Sequence, residues 1–353
     1  MQYIDELETP TPVVDLDIVE ANLRKMQAYV ASHGLRFRPH IKTHKVPELA
    51  LRQVQLGAQG ITCQKLGEAE VMADAGISSI LLSYPLVGIG KTERLGSLAS
   101  RIQMTVAVDS PEALETASRS SQISGAEIGV LVEFDSGAGR TGVVTAAEAL
   151  DLATTVLETR GLRFDGLMTY PLTEQSSRFF GEAASLFARA GIEIPAFSGA
   201  GTPEAWSSHL TPGLTEVRHG SYIYHDRTSV GAGAATLAEC ALHMLATVVS
   251  RPTPERFILD CGSKSLSSDR VPEPFGKGFG LILECPHAVI ERLYEEHALA
   301  TVQPGEAAPR IGERVRVVPN HVCPVSNLHD EVAIARGVRF EGFLRVAARG
   351  KTR

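Results

Sequence analysis

The chain is short of cysteine, tryptophan, long apolar runs and net positive charge, and each shortage excludes something. Its five cysteines, Cys63, Cys240, Cys261, Cys285 and Cys323, are an odd number scattered over 353 residues. That is the usage of a reducing compartment, with thiols free or metal-bound, rather than of a disulfide framework. No stretch approaches the roughly 20 apolar residues needed to span a bilayer. The opening MQYIDELETPTP is acidic and lacks the basic segment and apolar core of a secretory leader. The cytoplasm is the expected location, with no membrane partner. Basic residues number 34 against 41 acidic ones, a formal charge of −7. No basic face is left for a phosphate backbone, so no nucleic-acid partner is expected. Small anionic ligands remain open, because local clusters decide those.

What is present is an ordinary packed composition, 44% hydrophobic and 21% charged, in a chain long enough for a large domain plus a smaller one. Eight short apolar runs recur: FRPHI (37–41), GITCQ (60–64), SILLSY (79–84), MTVAVD (104–109), IGVLVEFD (128–135), FDGLMTY (164–170), PAFSGAG (195–201) and TEVRHGSY (215–222). Amphipathic segments separate most of them. In the first such segment Leu16, Val19, Leu23, Met26 and Val30 recur at helical spacing, Asp15 or Asp17 can cap the start, and Gly34 suits a left-handed end. Eight alternating units predict a (β/α)8 barrel of the TIM type in preference to an open doubly wound sheet, with one irregular unit between 201 and 215. After about residue 230 the texture changes to strands joined by turns, as in ALHMLATVVSRP, ERFILDCG, FGLILECP, ERVRVVPNHVCPV and DEVAIARG. The expected organisation is a barrel over 1–230 and a C-terminal β domain over 231–353, which the N-terminal arm is free to join.

In a barrel, side chains at the C-terminal strand ends surround one mouth. Lys42 directly follows the first run and would point there. Crowded by Arg38, His40, His44 and Lys45, its ammonium is expected to be destabilised, leaving a free amine for an imine with a carbonyl. The alternative is a solvated basic turn. Across the mouth, SGAGTP (198–203) exposes backbone N–H groups around Gly201 and Thr202 that can cradle a phosphate, with Ser221 and Tyr222 of GSYIYHD beside it. Amine and cradle together describe a pocket for pyridoxal 5′-phosphate. Arg140, set among glycines in EFDSGAGRTGV, is placed to reach that cofactor or is an ordinary loop arginine. His40, Gln64 and Tyr170 at strand ends are candidate cofactor contacts, with a structural role equally open. In VVPNHVCPV, His321 and Cys323 stand two apart on a predicted strand and so share a face. Imidazole and thiolate suit a zinc-like ion, and two protein ligands leave positions for substrate; a metal-free buried pair is the alternative.

Taken together, RPHIKTHK, GITCQKLGEAE, GRTGV, SGAGTP, GSYIYHD and PNHVCPVSNLHDE resemble the D-threonine aldolase and D-serine dehydratase family. These are fold-type III pyridoxal-phosphate enzymes of alanine racemase-like architecture, and the likeness runs from about residue 8 to the C-terminus. It implies a barrel plus β domain, a homodimer, and a divalent metal beside the cofactor: zinc or manganese, with magnesium or cobalt as alternatives. It also implies that Lys42 carries the cofactor, that Arg140 lies near the phenolic oxygen, and that Gly201, Thr202, Ser221 and Tyr222 bind phosphate. His321 and Cys323 correspond to the metal pair, and all three of Lys42, His321 and Cys323 would be catalytic. The implied reaction is retro-aldol cleavage of a D-β-hydroxy-α-amino acid, D-threonine-like, to glycine and an aldehyde. The alternative is dehydration of D-serine or 3-hydroxyaspartate to a keto acid and ammonia. An amino-acid racemase and a non-catalytic cofactor carrier are further readings. Two positions depart from the aldolase pattern: Cys323 stands where some aldolases carry Asp, and Pro171 where they often carry His.

Overall fold

The computed structural model describes residues 3–271 and 275–353. Two compact units divide the chain. One comprises Met26–Lys42, Pro47–Gly220 and Lys351–Arg353, and the other Met1–Lys25, Thr43–Val46 and Ser221–Gly350. The sequence put the change of texture near 230; by contacts the strand-rich unit takes up the chain from Ser221.

The first unit holds eight parallel strands, β1 (Arg36–Phe37), β2 (Ile61–Cys63), β3 (Ser79–Leu82), β4 (Gln103–Val108), β5 (Ile128–Glu133), β6 (Leu162–Met168), β7 (Phe197–Gly199) and β8 (Glu216–Val217). Each of the eight predicted runs overlaps one. They pair in the order β1-β8-β7-β6-β5-β4-β3-β2, and a parallel bridge between His40 and Thr62 closes the ring. Helices follow most strands, with start signals the sequence displays: Ser110 caps Pro111–Ser124, and Thr145 with Glu148 forms a capping box on Ala146–Glu158. The irregular unit is a 3-10 segment, Thr202–Leu210, in place of a seventh full helix.

Strand periodicity sorts the barrel interior into layers. Leu81, Ala107, Leu131, Met168 and Ala196 form one apolar cluster. Beneath it lies a polar floor around a cavity of about 280 Å³, where Arg38 Nε meets Glu216 at 3.4 Å and the Thr105 hydroxyl donates to Asp165 at 3.0 Å. Two residues further along the same strands come Ser83, Asp109, Glu133, Tyr170 and Ser198, at the mouth end.

In the second unit the strand Thr11–Asp15 pairs antiparallel with Leu242–Thr253 and parallel with Glu331–Arg336. Asp15 then accepts from the Asp17 and Ile18 N–H groups and caps the helix Leu16–Ser32. The 12-residue strand Leu242–Thr253 also pairs with Arg256–Leu259 and Arg314–Val318. One predicted strand is corrected here. ERVRVVPNHVCPV is extended only to Val318; Pro319 and Asn320 break it, and a short helix, Val322–Leu328, follows. No helix among the described residues is long and apolar enough to cross a membrane.

His243, on the long strand, is buried with Nε2 unpartnered, and burial together with Arg316 pushes its pKa down to about 3. It is neutral when folded and titrates near 6.5 when unfolded, so its contribution is complete above pH 6.5 and is lost as pH falls towards 3. Between pH 6.5 and 5 that loss is about 2 kcal/mol. Urea melts at pH 7.5 and 5 should therefore show a pH-dependent loss smaller by that amount in His243→Gln than in wild type.

Candidate active site

In the barrel unit, β1 ends at Phe37, and Pro39 has no N–H for a ladder. After the His40 bridge the chain makes a 3-10 turn, Ile41–Thr43, with Lys42 at its centre. Lys42 thus follows the strand by one turn instead of directly. Its Nζ lies 5.9 Å from the centroid of the Tyr170 ring, and the Arg140 guanidinium carbon lies 5.3 Å from the same ring. The structure therefore brings Lys42, Arg140 and Tyr170 together.

The basic crowd expected around Lys42 disperses. Arg38 is committed to Glu216 and Ser79 on the barrel floor. His40 Nδ1 accepts from the Lys42 backbone N–H at 3.3 Å, which leaves the ring proton on Nε2, between Gln64 Oε1 at 3.1 Å and Ser83 Oγ at 3.2 Å. In the strand-rich unit, His44 Nδ1 accepts from Val46 N–H and Lys45 donates to Asn327 at 2.9 Å. Partnered carboxylates, amides and backbone groups draw these residues apart, a contest of long-range partners that neighbours in sequence do not reveal.

Gly201 packs against Tyr170 so closely that a Cβ would fall 2.5 Å from Tyr170 Cε2. Its N–H donates to Glu204 Oε2 at 3.1 Å, so this predicted phosphate donor is engaged by a helix-capping carboxylate. Its carbonyl accepts from His219 Nδ1 at 2.8 Å, leaving His219 Nε2 a buried lone pair without a partner. Burial holds that imidazole neutral, with a pKa lowered to about 4. Thr202, also buried, opens the 3-10 segment. Ser221 and Tyr222 belong to the other unit, in a 3-10 turn whose Ser221 carbonyl accepts from His225 N–H at 2.6 Å. Gly201→Ala should force Tyr170 or the 201–202 backbone to move, at a cost of about 1–3 kcal/mol, and should weaken pyridoxal-phosphate binding measured by fluorescence titration.

Two residues at this mouth escaped sequence reasoning. Arg218 is buried; its Nη1 donates to Ser198 Oγ at 2.5 Å and Nη2 to the Thr169 carbonyl at 2.7 Å, while Ser198 in turn donates to Glu216 at 2.6 Å. Glu133 closes β5 with its carboxylate buried, and burial raises its pKa against the pull of Thr141, Arg218 and Arg140. The available signal was a charged residue inside an otherwise apolar strand run, which folding tolerates only when it is partnered.

In the strand-rich unit, His321 is the N-cap of Val322–Leu328 and Cys323 lies in its first turn. They do not share a strand face, yet their side chains meet, because the helix start folds Cys323 back onto the imidazole, where the two are hydrogen-bonded. Burial disfavours the His321 charge, but Cys323 and Asp226 outweigh it and raise the pKa to about 10. Asp226, buried and unassigned from sequence, accepts from His321 Nδ1 at 3.2 Å and from Val322 N–H at 3.1 Å. A carboxylate behind an imidazole fixes the ring and directs its other nitrogen outward, as it does for metal-bound histidines. Cys323 Sγ also lies 3.2 Å from the hydroxyl of Thr43, the residue that follows Lys42 in the chain. Among the described residues no group of three or more His, Cys, Asp or Glu side chains is placed to hold a metal ion, so an ion here would have two protein donors.

The groups present fit both additions. For an aldehyde bearing a phosphate there is an amine, a guanidinium beside it on one aromatic ring, a glycine with no room for a side chain, and an unpartnered buried imidazole nitrogen. For a divalent ion, a nitrogen and a sulfur donor with an orienting carboxylate form a set of zinc type. Residues 14–228 match the family model for the alanine racemase N-terminal domain, and residues 241–335 match one described as "Putative serine dehydratase domain". A D-threonine aldolase from Arthrobacter sp is 38% identical over 98% of this chain and 94% of its own length.

The chain belongs to this family of fold-type III pyridoxal-phosphate enzymes.

Among solved members, D-threonine aldolase from Filomicrobium marinum superposes with a TM-score of 0.89 at 31% identity, covering 99% of this chain and 98% of that one. D-threo-3-hydroxyaspartate dehydratase from Delftia sp. HT23 gives 0.85 at 28%, covering 98% and 99%. A variant of a dehydratase of that name is described in a metal-free form. The family's two reactions are thus both represented at full length.

Proposed function

We propose that the protein is a pyridoxal-phosphate- and divalent-metal-dependent lyase that cleaves D-β-hydroxy-α-amino acids of the D-threonine kind to glycine and an aldehyde. The observation that carries this reading is the convergence of Lys42 and Arg140 on Tyr170 in a chain 38% identical to a D-threonine aldolase. Pyridoxal phosphate, when bound, supplies the electron sink for charge developing at Cα. A divalent ion, zinc or manganese, would be held by His321 and Cys323 and would supply Lewis acidity towards the substrate's hydroxyl. The chain's own residues do the rest. Lys42 offers the amine that anchors the aldehyde, and Arg140 offers a positive edge to an anionic oxygen. Asp226 holds the His321 ring in register through Nδ1. His40, locked by Gln64 and Ser83, keeps the Lys42 backbone in place.

The dehydratase reading is kept because the Delftia enzyme covers the chain almost as fully and because Cys323 stands where some aldolases of the family carry Asp. In that reaction Lys42 would take the proton from Cα. One experiment separates the two: the protein, pyridoxal phosphate and Mn²⁺ or Zn²⁺ are incubated with D-threonine, D-phenylserine, D-serine and 3-hydroxy-D-aspartate. Aldehyde with glycine supports the proposal, ammonia with keto acid supports the alternative, and neither product with any metal overturns both.

A further inference from the structure

Glu133 ends β5 with one oxygen engaged and one not. Oε1 accepts from the Thr141 hydroxyl at 3.0 Å and lies 3.8 Å from Arg140 Nη2. Oε2 has no partner, although the residue is only 2% exposed. A buried carboxylate oxygen left unpaired is costly, so a donor for it is to be sought nearby. The charged groups that face it are Arg218, Arg140 and Asp109. Arg218 is spent on Ser198 and Thr169, and Asp109 accepts from the Gly142 N–H at 3.1 Å.

Arg140 is the one of the three with reach to spare. Its side chain is 53% exposed and meets Glu133 only at 3.8 Å, longer than a hydrogen bond. Its backbone has no such freedom. Thr141 is tied to Glu133, and Val143 N–H donates to the Glu133 carbonyl at 3.0 Å. Within the loop, Asp135 accepts from the Gly137 and Gly139 N–H groups at 3.1 Å each. Gly142, at φ +109°, sits so tightly over Phe134 that a Cβ would fall 2.3 Å from its carbonyl carbon. A pinned loop thus carries one mobile guanidinium.

We propose that Glu133 is a positioning residue that seats Arg140. When an anionic group enters the barrel mouth, the guanidinium turns inward, pairs with both oxygens of Glu133, and presents its remaining N–H edge to that anion beside Tyr170. A guanidinium matches a carboxylate with two parallel bonds and still keeps donors for a second acceptor. Closure also replaces a solvent-facing charge with a paired one and favours the ionised form of Glu133, which burial alone disfavours. The proposal rests on the reading of Arg140 as a residue that faces the phenolic oxygen of the bound cofactor.

The test uses the cofactor-free full chain and phenylglyoxal, with modification of individual arginines followed by peptide mass spectrometry. Pyridoxal 5′-phosphate should slow modification of Arg140 about tenfold in wild type, the factor for one strong charge-assisted contact. The slowing should fall to about twofold or less in Glu133→Gln, while exposed Arg119 reacts alike throughout. Thr141→Val, which leaves the carboxylate and frees Oε1, should keep the wild-type protection and serves where Glu133→Gln folds poorly. Protection in Glu133→Gln equal to wild type, or its loss in Thr141→Val, overturns the proposal. Absence of protection in wild type overturns the proposal together with the reading of Arg140, whereas equal protection in wild type and Glu133→Gln removes the proposal alone.

Discussion

Lys42→Ala is expected to lower turnover by at least about 10³-fold and to remove the visible absorbance that pyridoxal phosphate acquires on binding. The expectation follows from position. Lys42 is held at the centre of a single turn, its backbone N–H on His40 and its amine over the Tyr170 ring. It shares that ring with Arg140. Borohydride treatment followed by peptide mapping checks it: the cofactor should be found on the peptide containing Lys42 in wild type and on none in the variant. Attachment at another lysine would remove the basis of the proposed chemistry.

Cys323→Ala is expected to separate the two halves of the reaction. Turnover should fall by about 10²-fold or more, and metal content measured on the purified protein should fall with it. The cofactor absorbance should stay intact, because Cys323 lies in the strand-rich unit and the amine in the barrel unit. The size of the effect follows from the donor count: with two protein donors, loss of the sulfur leaves one imidazole. Asp226 would still hold His321 in place, so a fold-wide collapse is not expected. Full activity in Cys323→Ala would mean that the pair merely packs the start of a helix.

The barrel was legible because its signals are local and repeated. Each of eight runs marks a strand, and the one short connection, 201–215, marks the irregular turn. The mouth was legible in part, since Lys42, Arg140 and Tyr170 lie at strand ends where barrel geometry directs them to one place. What failed was any inference from neighbours in sequence. The cluster at 38–45 reads as one charge patch, but Arg38 faces the floor, His40 the mouth, and His44 and Lys45 the strand-rich unit. His321 and Cys323 read as a strand pair, while Pro319 turns them into a cap and a first turn. Glu133, Arg218 and Asp226 were overlooked because their importance lies in partners tens of residues away, such as Ser198 and His321. Glu133, a charge inside the apolar run IGVLVEFD, left the clearest trace.

Neither unit is a continuous stretch of chain. The polypeptide passes from one to the other after Lys25, Lys42, Val46, Gly220 and Gly350, and the strand Thr11–Asp15 is hydrogen-bonded on both sides by strands encoded beyond residue 240. A gene divided at the textural boundary would therefore leave the strand-rich fragment with an open slot in its sheet and the barrel fragment without its C-terminal residues Lys351–Arg353. Recombination in this fold is constrained accordingly: the catalytic barrel cannot be exchanged as a cassette without carrying both ends of the protein with it.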